Sequence, residues 1–206
     1  MEWHRVLGFL AAIVPLTLIP GTNFTLVTQK VIAGSRSDGF LVTFGTACGL
    51  LVHAAFAAVG LSALVMSSTQ ALTVVRILGG LYLVWLGVTT WRSAHPRARA
   101  RTGRRLPWSH LGGFGLGFWS NLTNPRAATV YLTLVPQFLA PDRPIPPQIA
   151  VLTLLHAAVL IIWLLTWASV VASARAITEA PWFRRVVSRV AGAVLVALGV
   201  RTVAVR

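Results

Sequence analysis

The sequence predicts an all-α polytopic membrane protein of about six transmembrane helices, arranged as a 3+3 inverted-topology repeat whose first and fourth helices are broken. Three observations carry that prediction. The 206 residues are 56% hydrophobic and 11% charged, with a mean hydropathy of +0.75, so lipid has to be part of the solvent. The apolar residues come in blocks of 20 or more, not in the ~10-residue alternating segments of a membrane barrel. The two halves of the chain also share short motifs in the same order.

The apolar blocks place spans near 6–34, 40–65, 71–91, 111–139, 149–172 and 186–205. The first block is read as a retained span: Glu2 precedes it, no small-x-small cleavage site follows, and Pro20-Gly21-Thr22-Asn23 interrupts it. Blocks 6–34 and 111–139 have 29 residues each. Straight helices of that length would run about 43 Å, against a hydrocarbon core of ~30 Å, so each should tilt strongly or bend. Pro20 and Pro125 stand at their midpoints, flanked by Gly21, Asn23, Asn121 and Asn124. Proline removes a helix donor and clashes with the preceding turn, and Asn124-Pro125 has the order of an N-cap followed by a first-turn proline. A new half-helix is expected to start there, with free N–H groups aimed into the membrane interior. Gly45-x-x-x-Gly49 and Gly113-x-x-x-Gly117 read as close-packing surfaces.

Charge sets the orientation. A formal charge of +14 would suggest nucleic acid in a soluble domain, but here the basic residues sit mostly between apolar blocks, so no nucleic-acid partner is expected. Connections one, three and five hold twelve Lys and Arg, from Lys30 and Arg36 through the Arg92–Arg105 run to Arg189; the other side holds Arg5, Arg76, Arg143, Arg201 and Arg206. The cytoplasmic side keeps the basic excess, so both termini are predicted outside an inner membrane. Residues 92–110 form a basic cytoplasmic linker between repeats at 1–91 and 111–206, within one integral membrane domain. Eight Trp suit interfacial belts. A lone cysteine, Cys48, excludes disulfides within the chain and Cys-rich metal sites.

Across the linker, Leu51-Val52-His53-Ala54-Ala55 returns as Leu154-Leu155-His156-Ala157-Ala158, and Arg76-x-x-Gly79 with Leu86-Gly87-Val88-Thr89-Thr90 returns as Arg189-x-x-Gly192 with Leu198-Gly199-Val200-Arg201-Thr202. Pro20 precedes His53 by 33 positions and Pro125 precedes His156 by 31. Each half has an odd number of spans, so the second half runs through the membrane upside down relative to the first. Secondary transporters use that architecture, with the substrate site at the repeat interface.

Arg126 sits near the middle of span four, while the four acids, Glu2, Asp38, Asp142 and Glu179, all lie at loops or ends. Its guanidinium can bond carbonyls freed by the breaks, face a water-filled cavity, or receive an anionic group of the substrate. A carboxylate would satisfy Arg126 and the half-helix N-terminus together. His53 and His156 are either hydrogen-bonded packing residues or a gate or protonatable coupling pair. No phosphate-binding loop, nucleophile elbow, acid pair or metal-ligand cluster is present. Neither an enzyme nor a bound cofactor is therefore expected.

Several motifs in order resemble a known family. Leu18-Ile19-Pro20-Gly21-Thr22-Asn23, Gly45-x-x-x-Gly49-x-x-x-His53, Gly80-Leu81-Tyr82-Leu83-Val84-Trp85-Leu86-Gly87, and Asn121-Leu122-Thr123-Asn124-Pro125-Arg126 with Pro136-Gln137-Phe138 look like the lysine exporter/homoserine-threonine resistance (LysE/RhtB) translocators, from about residue 6 to 205. The resemblance implies export of amino acids or related metabolites driven by the proton gradient, with Pro20, Gly21, Asn23, Asn124, Pro125 and Arg126 at the central site. Asn121 joins them as a substrate-binding candidate. Several relatives carry an acid in the fifth span, but this chain has none between Ile149 and Ala172, which leaves His53, His156 or Asp38 for coupling. The expected partners are a small solute, protons and lipids, with a homodimer left open. The competing classes are a carrier of metal ions or thiol reductants, which would want clustered Cys, His or acids, and a non-transporting scaffold, which would not need paired broken helices.

Overall fold

A computed structural model describes residues 2–67, 69–92 and 111–173, with isolated positions at 189, 193, 196, 197 and 200. The chain is an all-α polytopic membrane protein, and the described residues contain no strand. In order they form α1 (Trp3–Leu18), α2 (Thr22–Ala33), α3 (Arg36–Ser67), α4 (Thr69–Arg92), α5 (Gly113–Leu122) and α6 (Pro125–Thr129). A π-helical turn (Val130–Leu134), a 3-10 turn (Val135–Phe138) and α7 (Ile145–Ser173) follow. By length and hydropathy α3 and α7 can each cross a membrane, and the bent pair α1–α2, counted as one broken span, is a third. The predicted linker, from 93 on, and the predicted sixth span at 186–205 lie outside the described residues, apart from the isolated positions. Of the Arg189-x-x-Gly192 match only Arg189 is described.

The first break follows from proline chemistry. Ile19 precedes Pro20, and a residue in that position is driven out of the α region; Ile19 is extended, with φ −61° and ψ 125°. Helix α2 restarts after Gly21 at 48° to α1. The Thr25 amide and hydroxyl both donate to the Gly21 carbonyl, each at 3.0 Å, which satisfies the first acceptor of the new helix.

The second break follows the same rule, then departs from expectation. Asn124 is extended ahead of Pro125, and its side-chain Oδ1 accepts from the Arg126 N–H at 3.0 Å, the predicted N-cap and first-turn proline. The half-helix expected from Pro125 is only five α-helical residues long before it widens into the π turn. Pro136 follows the π turn and has no N–H to close an α-helical bond onto residue 132, so regular α-helix cannot run through it undisturbed. Side chains add hydrogen bonds to carbonyls four residues back along this segment. Thr129 Oγ1 donates to Pro125 O at 2.6 Å, Thr133 Oγ1 to Thr129 O at 2.8 Å, and Gln137 Nε2 to Thr133 O at 3.0 Å.

Helix α3 packs chiefly on α5 and α7. Between α3 and α5 the two glycine motifs face each other. A Cβ on Gly45 would strike the Phe114 carbonyl, and one on Gly117 would strike the Val42 carbonyl, so only glycine lets these backbones meet. Lipid tails are as apolar as the helices, so close van der Waals contact has to supply what the hydrophobic effect supplies in water. The core around this pair includes Phe9, Ile13, Val42, Leu50, Leu134 and Leu152, all essentially inaccessible. Leu51, Phe56, Val59, Leu81, Leu154 and Ile162 are exposed on the outer surface, as helices solvated by acyl chains require.

At one end of the bundle, Arg76 Nε donates to Pro136 O at 2.9 Å, and Arg76 Nη2 and Arg5 Nη1 both donate to Leu139 O, at 2.6 and 2.9 Å. Gln148 holds the following turn, accepting from Ala140 N–H at 2.8 Å and donating to Ala140 O and Pro144 O, each at 3.0 Å. These contacts anchor the end of the distorted segment, so the irregular backbone lies against protein.

Candidate functional site

The two breaks meet at a cavity of about 180 Å³. Gly21 and Asn23 reach it from the first break, and Asn121, Asn124 and Arg126 from the second. A Cβ on Gly21 would lie 3.9 Å from Arg126 Nη1, which measures how closely the first break approaches the guanidinium. Pro20 and Pro125 are not on the wall; they shape the backbone that carries the wall residues.

Arg126 is half-buried, and its Nη2 is buried without a hydrogen-bond partner. The ion pairs among the described residues use Glu2 and Asp142, both at loops or ends, and no acid among the described residues lines the cavity. Of the three readings open for Arg126, bonding to backbone carbonyls does not account for Nη2, which has no such partner.

The histidines divide. His156 is buried, lines the cavity, and has an unpartnered Nδ1. His53 is half-buried and off the wall, with Nε2 3.2 Å from Asn121 O. That carbonyl also accepts from the Asn124 N–H at 2.9 Å, so His53 grips the chain at the second break. Both imidazoles stack on Tyr131, with centroids 6.4 Å and 15° from it for His53 and 6.1 Å and 27° for His156. Asp38 lies away from the cavity. Its Oδ2 accepts from the Ser35 N–H and Oγ, each at 2.9 Å, while the Asp38 N–H donates to Ser35 Oγ at 3.3 Å, a capping arrangement at the start of α3.

Sequence reasoning missed the far wall. Leu160, Trp163 and Leu164 of α7 complete it with Phe24 of α2. Phe24 stacks on Trp163 at 6.5 Å and sits 4.1 Å from Trp167, whose Nε1 donates to Thr28 Oγ1 at 2.9 Å. The signal was available: Leu160, Trp163 and Leu164 stand four, seven and eight positions after His156, one helical face. Tyr131 had no such signal. Among the described residues no group of His, Cys, Asp and Glu could hold a metal ion.

The family model described as LysE type translocator matches residues 14–205. The chain belongs to the LysE translocator family. An uncharacterised membrane protein of Bacillus subtilis (strain 168) is 25% identical over 206 residues, covering 97% of this chain and 98% of its own. The homoserine/homoserine lactone efflux protein of Salmonella typhi is 30% identical over 149 residues, 69% of this chain and 68% of its own. The threonine efflux protein of Escherichia coli (strain K12) is 28% identical over 174 residues, 84% and 81% respectively. No solved structure matches the chain. As a LysE translocator this chain is a membrane transport protein, and the cavity between its two breaks is the candidate place for the solute.

Proposed function

We propose that this chain is a secondary active transporter that exports amino acids or closely related small metabolites across the inner membrane by proton antiport. The reading draws on the family and on relatives named for threonine and homoserine efflux. One observation carries it furthest: an Arg126 guanidinium with an unpartnered nitrogen at a cavity that no acid among the described residues lines. A cation taken out of water without a counter-ion is costly, and an incoming anion removes that cost. The carboxylate of an amino acid is such an anion, and a guanidinium binds it through paired, charge-assisted hydrogen bonds.

On this reading Arg126 receives the carboxylate, Gly21, Asn23, Asn121 and Asn124 form the surrounding wall, and Pro20 and Pro125 maintain the breaks. The chain acts as a carrier and not as an enzyme. Repeats at 1–91 and 111–206, oppositely oriented about the linker, would rock around the cavity to expose it alternately. His53 and His156 are the coupling candidates inside the bundle; Asp38 is the weaker one, since its carboxylate caps α3. Protons are the coupling ion, and lipids the surrounding solvent; a homodimer remains compatible with this arrangement. The test is counterflow with purified protein in liposomes, screening amino acids. Exchange of at least one is expected, and none across the full set of common amino acids and homoserine would sink the reading.

A further inference from the structure

We propose that the rings of Phe24, Trp163 and Trp167 form a gate between the cavity and the end of the bundle that carries Lys30, with the Thr28 hydroxyl as its latch. The inference rests on the preceding reading of the cavity as the place of the solute. Phe24 and Trp163 line the cavity, whereas Thr28 and Trp167 do not. These two stand four positions further along α2 and α7, one helical turn beyond the wall. Further on still, Val31 of α2 and Ala168 of α7 meet the start of α3, where a Cβ on Gly39 would touch the side chains of both. The two helices therefore run the same way from the cavity toward the Lys30 end, and the three rings cross any path between them.

The rings are in mutual contact. Phe24 lies 4.1 Å from Trp167 and 6.5 Å from Trp163, and the two indoles are 6.0 Å apart between centroids, separations at which aromatic rings attract one another. Trp167 is buried. Phe24 comes from the proposed first repeat and both indoles from the second, so rocking of the repeats has to part this layer.

The latch acts on the residue that carries the plug. Thr28 Oγ1 accepts from Trp167 Nε1 at 2.9 Å and donates to the Phe24 carbonyl at 2.8 Å. One hydroxyl thus ties an indole of α7 to the backbone of Phe24, and hydrogen bonds in such a chain strengthen each other. Helix α2 is also set to move as a unit. It has 12 residues, follows the 48° break and ends at Gly34, and element-terminal positions of this kind absorb the backbone rotation of a closing motion.

The experiment reads access to the cavity with a small membrane-impermeant thiosulfonate. Thr17 lines the cavity from α1, and Thr17→Cys in a Cys48→Ala background supplies one thiol, since Cys48 is the chain's single cysteine. Labelling rates of the full-length protein are measured in right-side-out and in inverted membrane vesicles, and Lys30→Cys in the same background identifies the Lys30 face. Thr28→Val removes the acceptor at nearly the same volume, and Trp167→Phe removes the donor while keeping a ring. Each should speed labelling at position 17 from the Lys30 face, about 2- to 10-fold for the loss of one hydrogen bond, and Phe24→Ala should speed it more. Thr28→Ser keeps the hydroxyl and should match the parent. The double variant Thr28→Val, Trp167→Phe should not exceed Trp167→Phe alone, because both changes remove the same bond. Rates from the opposite face should stay parental. Equal acceleration from both faces, or none from the Lys30 face in any of the three single variants, overturns the gate. Acceleration in Phe24→Ala alone overturns the latch. A variant that fails to reach the membrane leaves the others to decide. Labelling needs no transported solute, so an absence of counterflow sinks the solute reading without altering the access result.

Discussion

His53 and His156 are joined through one ring, that of Tyr131, on which both imidazoles stack. One histidine holds the Asn121 carbonyl at the second break and the other lines the cavity. The three rings thus connect the place where the chain bends with the place where a solute would sit. Their sequence surroundings correspond across the two halves, while Tyr131 itself comes from the π turn that precedes Pro136.

His53→Ala should change the pH dependence of counterflow more than the order of preferred substrates. Imidazole is the side chain whose charge changes between pH 5 and 8, and His53 touches the break without lining the cavity. The measurement is exchange rate against pH for parent and variant at matched protein levels. Superimposable profiles would reduce His53 to a hydrogen-bonded packing residue.

Arg126→Gln should weaken exchange of a carboxylate-bearing substrate far more than that of its amide. Removing one partner of a desolvated charge pair costs about 2–5 kcal/mol, roughly 30-fold to several-thousand-fold in affinity. Arg126→Lys keeps the charge, loses the planar fork, and should fall between the two. An equal loss for acid and amide would mean that Arg126 holds the broken helices together.

Gly45→Ala and Gly117→Ala should each lower stability by about 1–3 kcal/mol, the usual range for overpacking a filled contact, because each new methyl meets a backbone carbonyl. Gly60→Ala is the control: a Cβ there meets nothing within 4 Å, and it gains helix propensity. Thermal unfolding of the purified variants in detergent checks the contrast, and equal melting temperatures for all three would contradict the packing.

The amount legible in advance tracks how local the physics is. Both breaks could be read from a proline and its neighbours, because proline acts on the residue before it and on its own missing donor; Asn124 capping Arg126 is the clearest case. The glycine motifs were legible as contact surfaces, but not as partners of each other. The π turn was missed although Pro136 stood in the sequence, since a lost donor does not say whether a helix will widen, tighten or stop. Asp38 was weighed for coupling because acids are scarce, while Ser35-x-x-Asp38 already spelled a cap. Phe24 and Trp163 became wall residues only through the packing of α7 on α1 and α2, which no local rule supplies.

Tags fused at residues 1 and 206 should both report outside, and a tag placed within 95–105 should report inside, by the asymmetry of Lys and Arg. Protease protection of both termini in spheroplasts would reverse the orientation.

The glycine contact between α3 and α5 also bears on how the protein is made. Gly45 and Gly117 are separated by roughly 70 residues of chain, which at ~5–20 residues per second is about 4 to 14 s of synthesis. Throughout that interval α3 stands in the bilayer with a groove cut down to its backbone and only acyl chains to fill it. Another nascent helix with small residues would fit the same groove, so the seconds before α5 arrives are when this chain is most open to a wrong neighbour.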